Sequence, residues 1–347
     1  MKIAILGLPQ AGKKTLFTLL TQKKLPEFLK AGEIVKGNAK VIDKRIDELA
    51  KIYKPQRSVY AETDFILCPD IETGAGNYSW LNEARVCDLL CIIIRDFESE
   101  DVFHALGSVD SKRDKDNIEA ELLLADLALI ETRLDRIAKD KVKRKQTPIQ
   151  ITEEETLKKC KDVLEQEKFL NTMKFKDDEL TAIQSLNFIT LKTILWCINV
   201  HENQISEKYS QSSKEIFYIS AAIENDISSI GDEQERLEFM KELGITTPGI
   251  IRLNETAYDA LGLMSFYTVG PDEVRAWTIN KGSLAPTAGG KIHSDIERGF
   301  IRVEVFKYND LLTHGSEQKL KTAGKLQTKG KDYTIEDGDI CNFLFNV

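Results

Sequence analysis

The chain opens on a short apolar run, Ile3 to Leu6, closed at once by Gly7. A run without alternation reads as a strand buried on both faces. Lys2 to Leu6 is therefore predicted as a parallel strand, and Lys13 to Thr21, after a glycine-rich turn, as a helix. Thr63 to Cys68, Leu89 to Ile94, Leu191 to Ile198 and Ile216 to Ile219 repeat the apolar run, with helical stretches between them. The set predicts a parallel sheet covered on both faces.

Between the third and fourth of these strands the period changes. Ala120, Leu123, Leu127, Ile130, Leu134 and Ile137 alternate spacings of three and four, a heptad seam on one long helix. The basic stretch Lys139 to Lys145 follows, and Pro148 is predicted to break the helix. A second helix is predicted to begin near Thr152, whose hydroxyl and Glu155 fit a capping box. Leu157, Cys160 and Leu164 give it an apolar face. Long helix, break and returning helix predict an antiparallel coiled-coil arm. Further on, Glu273 to Ile279, Gly299 to Phe306 and Ile340 to Phe345 read as strands, with Gly282, Pro286, Gly289, Gly290 and Gly338 as turn markers. That is a small α+β module.

Composition narrows the function classes. A net charge of −8 over 347 residues gives no global pull toward nucleic acid or an anionic membrane. The longest apolar run is far short of a membrane span. No signal peptide is apparent, so the expected location is the cytoplasm. The six cysteines form no CxxC pair, and four of them sit in strand-like runs as small hydrophobes. The four histidines show no metal-ligand spacing. After Gly270 acidic and basic residues nearly balance, so the basic tip Lys139 to Lys145 is the better candidate for RNA or an acidic partner.

The sharpest chemistry lies in Gly7-Leu8-Pro9-Gln10-Ala11-Gly12-Lys13-Lys14-Thr15, between a strand and a helix. Backbone N–H groups of such a loop converge on phosphate oxygens, and the helix N-terminus adds a positive dipole. Pro9, Gln10, Ala11, Gly12, Lys13, Lys14 and Thr15 are the phosphate-site candidates, with Lys13 expected to reach the β and γ phosphates. The motif wants Ser or Thr after that lysine, to ligate Mg²⁺. Here Lys14 stands there and Thr15 comes one residue late.

With these motifs the chain resembles the YchF-type Obg-like ATPases, within the translation-factor class of P-loop GTPases. The resemblance is carried by the loop, by Asp43 to Ala50, by Gly107-Ser108-Val109-Asp110, by Asn199-Val200-His201-Glu202, and most specifically by Thr268 to Ile279 and Ile292 to Arg302. It implies an α/β fold: a Ras-like P-loop NTPase domain, an inserted coiled-coil arm and a C-terminal TGS domain of the β-grasp, ubiquitin-like kind. The expected boundaries are 1–112 with 186–265, then 113–185, then 266–347. The resemblance also implies ATP binding, often in preference to GTP, weak hydrolysis and ribosome association. Asn199 and Glu202 take the base-recognition positions, with Ser220, Ala221 and Ala222 as the loop touching the base through its backbone. The expected partners are nucleotide and, through the TGS domain and the arm tip, ribosome or RNA. A monomer without membrane contact is expected.

Three departures put Mg²⁺ and hydrolysis in question. Lys14 replaces the metal-binding hydroxyl. The segment from Gln22 to Val35 supplies no threonine for the first switch. Asp70-Ile71-Glu72-Thr73 lacks the glycine of the second switch, although Gly74 follows at once, and the loop Ala75 to Leu81 looks short. Asp70 remains as the metal candidate. The expectation is a divergent nucleotide binder with weak or lost hydrolysis. The alternatives are a slow ATPase switch on the ribosome and an interaction scaffold with an empty loop.

Overall fold

A computed structural model describes residues 1–26, 29–30, 32–74, 76, 78–100, 102–143 and 147–346. In chain order the elements used below are β1 (Lys2–Gly7), α1 (Lys13–Thr21), β2 (Val35–Lys40), α2 (Lys44–Tyr53), β3 (Arg57–Val59), β4 (Glu62–Leu67), β5 (Leu89–Asp96), α3 (Ser111–Val142), α4 (Pro148–Leu164), β6 (Thr193–Val200), β7 (Ile216–Ile219), β8 (Leu263–Val269), β9 (Glu273–Asn280), β10 (Phe300–Lys307), β11 (Gln327–Lys329) and β12 (Asp339–Phe345). The chain divides into two compact units, Met1–Asn38 with Asp64–Ile250, and Ala39–Thr63 with Ile251–Val347.

The first unit is built on a sheet of order β2-β4-β1-β5-β6-β7. Its central pairs are parallel, with Ile3 opposite both Phe65 and Leu89, and Ile92 opposite Trp196. The apolar runs form strands because both faces of the centre are covered: Leu89 to Arg95 are all buried. The fourth predicted strand starts at Thr193 rather than Leu191, since Ile189–Leu191 closes a 3₁₀ turn. β1 lies between β4 and β5, so the loop after it sits at the carboxyl edge of the central strands, where such sheets place ligands.

The long helix α3 changes the face it buries. Ile118, Leu122 and Ala125 enter the core against the sheet, while Leu123, Ile130 and Ile137 pack with Leu157, Cys160 and Leu164 of α4. Ala120, predicted as the first seam residue, is exposed, because the seam begins only where α3 leaves the sheet. Arg133 with Glu153 and Lys161 with Glu131 tie the two helices together. The start of α4 corrects the sequence reading. Thr147, not Thr152, is the cap: its hydroxyl accepts from the Gln150 N–H at 3.3 Å, and the Gln150 side chain accepts from the Thr147 N–H at 2.9 Å. Pro148 opens the helix instead of ending the previous one, because a first-turn N–H has no intrahelical acceptor to lose.

The second unit carries a sheet of order β11-β10-β12-β8-β9-β3. One face packs Phe266, Val303 and Phe343 against the Ala285–Ile292 helix. The other packs Tyr267 and Ile340 against Ile46 and Leu49 of α2. Residues 39–63 thus belong here, and β3 extends the sheet by pairing in parallel with β9, Arg57 opposite Glu273. Pro286, Gly289 and Gly290, predicted as turn residues, lie inside a helix. The close packing explains the glycine at 289: a Cβ there would meet Ile296 at 2.6 Å. All six cysteines are buried and free, and burial pushes the Cys68 thiol up to about 12. Among the described residues no helix is long and apolar enough to cross a membrane.

Candidate functional site

β1 delivers the chain into the loop Gly7 to Thr15, and α1 receives it. Leu8 and Ala11 are buried and anchor the loop from below. Gly12 has a left-handed φ of 103°, and a Cβ on it would lie 2.4 Å from the Asn199 side-chain nitrogen. Glycine is therefore required there twice over, by backbone conformation and by space. Pro9 is half-buried and Gln10 exposed.

Lys13 folds back under the loop. Its ammonium donates to the Gly7 carbonyl at 2.7 Å and the Leu8 carbonyl at 2.9 Å, and pairs with Asp70. It is 5% exposed, and burial pulls its pKa below the ordinary lysine range against the opposing pull of Asp70. Lys14 and Thr15, on the first turn of α1, are exposed. Among the described residues Lys14 makes no ion pair, so its ammonium faces solvent at a helix N-terminus.

Asn199, one residue before the end of β6, joins distant segments. Its amide nitrogen donates to the Ala11 carbonyl at 3.1 Å, and its oxygen accepts from the Ala221 N–H at 3.0 Å. It is buried, as are Ser220 and Ala221, while Ala222 is exposed. The predicted phosphate loop and the predicted base segment are thus held together by one side chain. Glu202 is exposed at the start of a 3₁₀ turn and makes no ion pair among the described residues. The structure does not bring it into contact with the others.

Asp70 is engaged by Lys13, and the next residue, Ile71, donates its N–H to the Gly7 carbonyl at 3.1 Å. The segment read as the second switch therefore lies along the phosphate loop. The Gly74 N–H donates to Glu121 of α3 at 2.5 Å. Ala75 and Asn77 of the following loop lie outside the described residues, as do Glu27, Phe28 and Ala31 of the first-switch segment and Arg144 and Lys145 of the basic tip.

Sequence reasoning missed a buried polar group beside the loop. Arg95, His104 and Asp114 line a small cleft with Leu8, Pro9 and Ala11. The Leu106 N–H donates to His104 Nδ1 at 3.1 Å, and His104 Nε2 lies 2.9 Å from the Asp114 carboxylate. Arg95 is 2% exposed and donates to the carbonyls of Phe97 and Val102. A lone histidine without ligand spacing carries no local signal of this kind; the one available cue was an arginine inside an apolar strand.

The fold and the loop define a mixed α/β protein with a strand–glycine loop–helix at the carboxyl edge of its sheet, and known proteins share this arrangement across the whole chain. The family model YchF-GTPase_C, described as "Protein of unknown function (DUF933)", matches residues 263–346. The ribosome-binding ATPase YchF of Escherichia coli O157:H7 is 37% identical, covering 100% of this chain and 99% of the relative. That of Bacillus subtilis strain 168 is 34% identical, covering 99% and 98%. The structure of the Schizosaccharomyces pombe YchF GTPase superposes with a TM-score of 0.80 at 28% identity, over 99% of this chain and 97% of that one. The chain belongs to the YchF family.

Proposed function

We propose that this chain binds a purine nucleoside triphosphate, ATP first and GTP as the other candidate, at Pro9 to Thr15, and turns it over weakly or not at all. The observation that carries the reading is the buried Lys13 ammonium under a glycine loop that Asn199 ties to Ala221. On this reading Asn199, Glu202, Ser220, Ala221 and Ala222 face the base. The nucleotide domain comprises 1–112 and 186–265, with 39–63 and 251–265 folding in the C-terminal unit; 113–185 is the coiled-coil arm, its first turns packed on the sheet, and 266–347 the TGS domain. The relatives' names support an association with ribosomes. The exposed Lys139, Lys141 and Lys143 of the arm tip and the TGS domain are the surfaces we assign to it, and the protein works as a monomer in the cytoplasm.

The donor set does not fit the Mg²⁺ ion that the P-loop class holds. An ammonium at Lys14 has no lone pair to give. The Asp70 carboxylate is already paired with Lys13. We therefore assign no step to a metal, and read the Lys14 charge as what neutralises phosphate in its place. Steady-state phosphate release by the wild type should stay at the level of Lys13→Ala; release clearly above that control contradicts the reading. The affinity of the wild type for ATP should hardly change on adding EDTA, whereas Lys14→Thr should become metal-dependent, losing about tenfold on chelation. A large loss for the wild type would end the Lys14 assignment. The ATPase names of the relatives favour a slow switch as the second reading, and the same phosphate measurement decides between them.

A further inference from the structure

The tip of the coiled-coil arm is patterned inside out. Farther from the tip the seam between α3 and α4 is apolar, where Ile130 and Ile137 pack with Leu157, Cys160 and Leu164. Continuing the heptad spacing beyond Ile137 brings Lys141 to the seam, and continuing it back from Leu157 brings Glu153 and Gln150. Polar contacts hold this end together. The Gln150 amide donates to Asp140 at 3.2 Å, Lys141 lies 3.6 Å from Glu154, and Arg133 pairs with the buried Glu153. The apolar residues of the tip lie off the seam and face solvent: Val142 is 85% exposed, Ile149 65% and Ile151 50%.

Nothing local accounts for that placement. β-branched residues are weaker helix formers than the Lys, Glu and Gln around them. Ile151 stands where a hydrophobic staple would reach back to the residue before the Thr147 cap, but that residue is Gln146. Single exposed apolar side chains are ordinary, whereas the Asp140–Gln150 bond sets side by side the two helix ends that carry these three. Around them the charge has one sign. Lys139 to Lys145 holds five basic residues and one acid, in a chain of net charge −8. Lys139 and Lys143 are exposed and make no ion pair among the described residues. An apolar patch with a charged rim has the make-up of a protein-docking surface. Backbone phosphates call for the lysines alone, and unpaired bases stack on aromatic or arginine planes, which Val142, Ile149 and Ile151 do not offer.

We propose that the arm tip docks on a protein surface of the ribosome, one with an apolar pocket for Val142, Ile149 and Ile151 and a rim of carboxylates facing Lys139 and Lys143. The inference deepens the assignment of the tip to ribosome association and rests on it. The lysines steer the encounter and fix its orientation. The apolar contacts hold the complex and set its lifetime. Ribosomal RNA offers those three side chains no counterpart.

The test is co-sedimentation of the full chain with purified ribosomes and with the ribosomal RNA extracted from them, at one salt concentration. Ile149→Ser combined with Ile151→Ser should weaken binding to ribosomes by about tenfold, or ~1.4 kcal/mol. The extracted RNA should bind the wild type about tenfold more weakly than the intact particle does. Both isoleucines are exposed, and unchanged helical circular dichroism checks that the arm of the variant still folds. A serine variant that binds like the wild type overturns the proposal and leaves ribosome association standing; so does extracted RNA bound as tightly as the intact particle. A wild type that does not sediment with ribosomes overturns the association and this proposal together. A second measurement keeps the apolar patch intact. Lys143→Cys supplies an exposed thiol, since the six native cysteines are buried, and a benzophenone attached to it should cross-link to ribosomal protein. Cross-links to RNA alone overturn the proposal.

Discussion

Lys13→Ala is expected to lower affinity for ATP by about a hundredfold, ~2.7 kcal/mol, with little change in the stability of the fold. The two halves of that expectation have separate causes. The ammonium is the buried cation of the loop, and charge-assisted hydrogen bonds to phosphate oxygens are the strong kind. In the free protein the same ammonium is held at a cost, since burial pulls its pKa down. Removing it relieves that cost while forfeiting its bonds to Gly7, Leu8 and the half-exposed Asp70, and the opposing terms leave a change within about 1 kcal/mol. Calorimetry for binding and urea denaturation for stability check the two halves. A variant that binds as tightly as the wild type would remove Lys13 from the site.

Asp126→Ala should destabilise the first unit by about 3–5 kcal/mol, the range for stripping one partner from a buried charged network. Asp126 is fully buried on α3. It accepts from Arg85 at 2.7 Å, from the Ile189 and Thr190 N–H groups at 3.2 and 2.8 Å, and from the Thr190 hydroxyl at 2.8 Å. These bonds fasten the long helix to the turn that leads into β6. Alanine leaves two buried N–H groups and a guanidinium without their acceptor. Asp126→Asn should cost somewhat less, because the amide keeps one acceptor oxygen but turns its NH₂ toward other donors. Urea denaturation measures both, and a loss under about 1 kcal/mol for Asp126→Ala would show that the network does not anchor the helix.

The parts that the sequence made legible are those whose signal is local. Gly7 to Thr15 announces a loop because strand, glycines, lysine and helix are contiguous. The apolar runs of β1, β5 and β6 announce a buried sheet. Pro148 is ambiguous in the sequence because a proline marks a helix start and a helix stop with the same residue, and only Thr147 with Gln150 shows which. Gly289 and Gly290 read as turn residues until Ile296 and Glu297 are seen against them. Long-range relations had no local mark at all. Asn199 reaches a carbonyl 188 residues earlier. Residues 39–63 fold with the C-terminal strands although they are flanked on both sides by strands of the other sheet. Glu121 and Asp126 stood in plain view as acids on a helix half that packs against an apolar sheet, but their acceptor roles appear only when Gly74 and Thr190 arrive from elsewhere in the chain.

The central claim is that the loop under Lys13 holds a nucleotide whether or not it is hydrolysed. Its most direct test is a calorimetric titration of the wild-type chain with ATP in the presence of EDTA. The account predicts a saturable heat with one nucleotide per chain, absent from Lys13→Ala at the same concentrations. A flat titration of the wild type would contradict it.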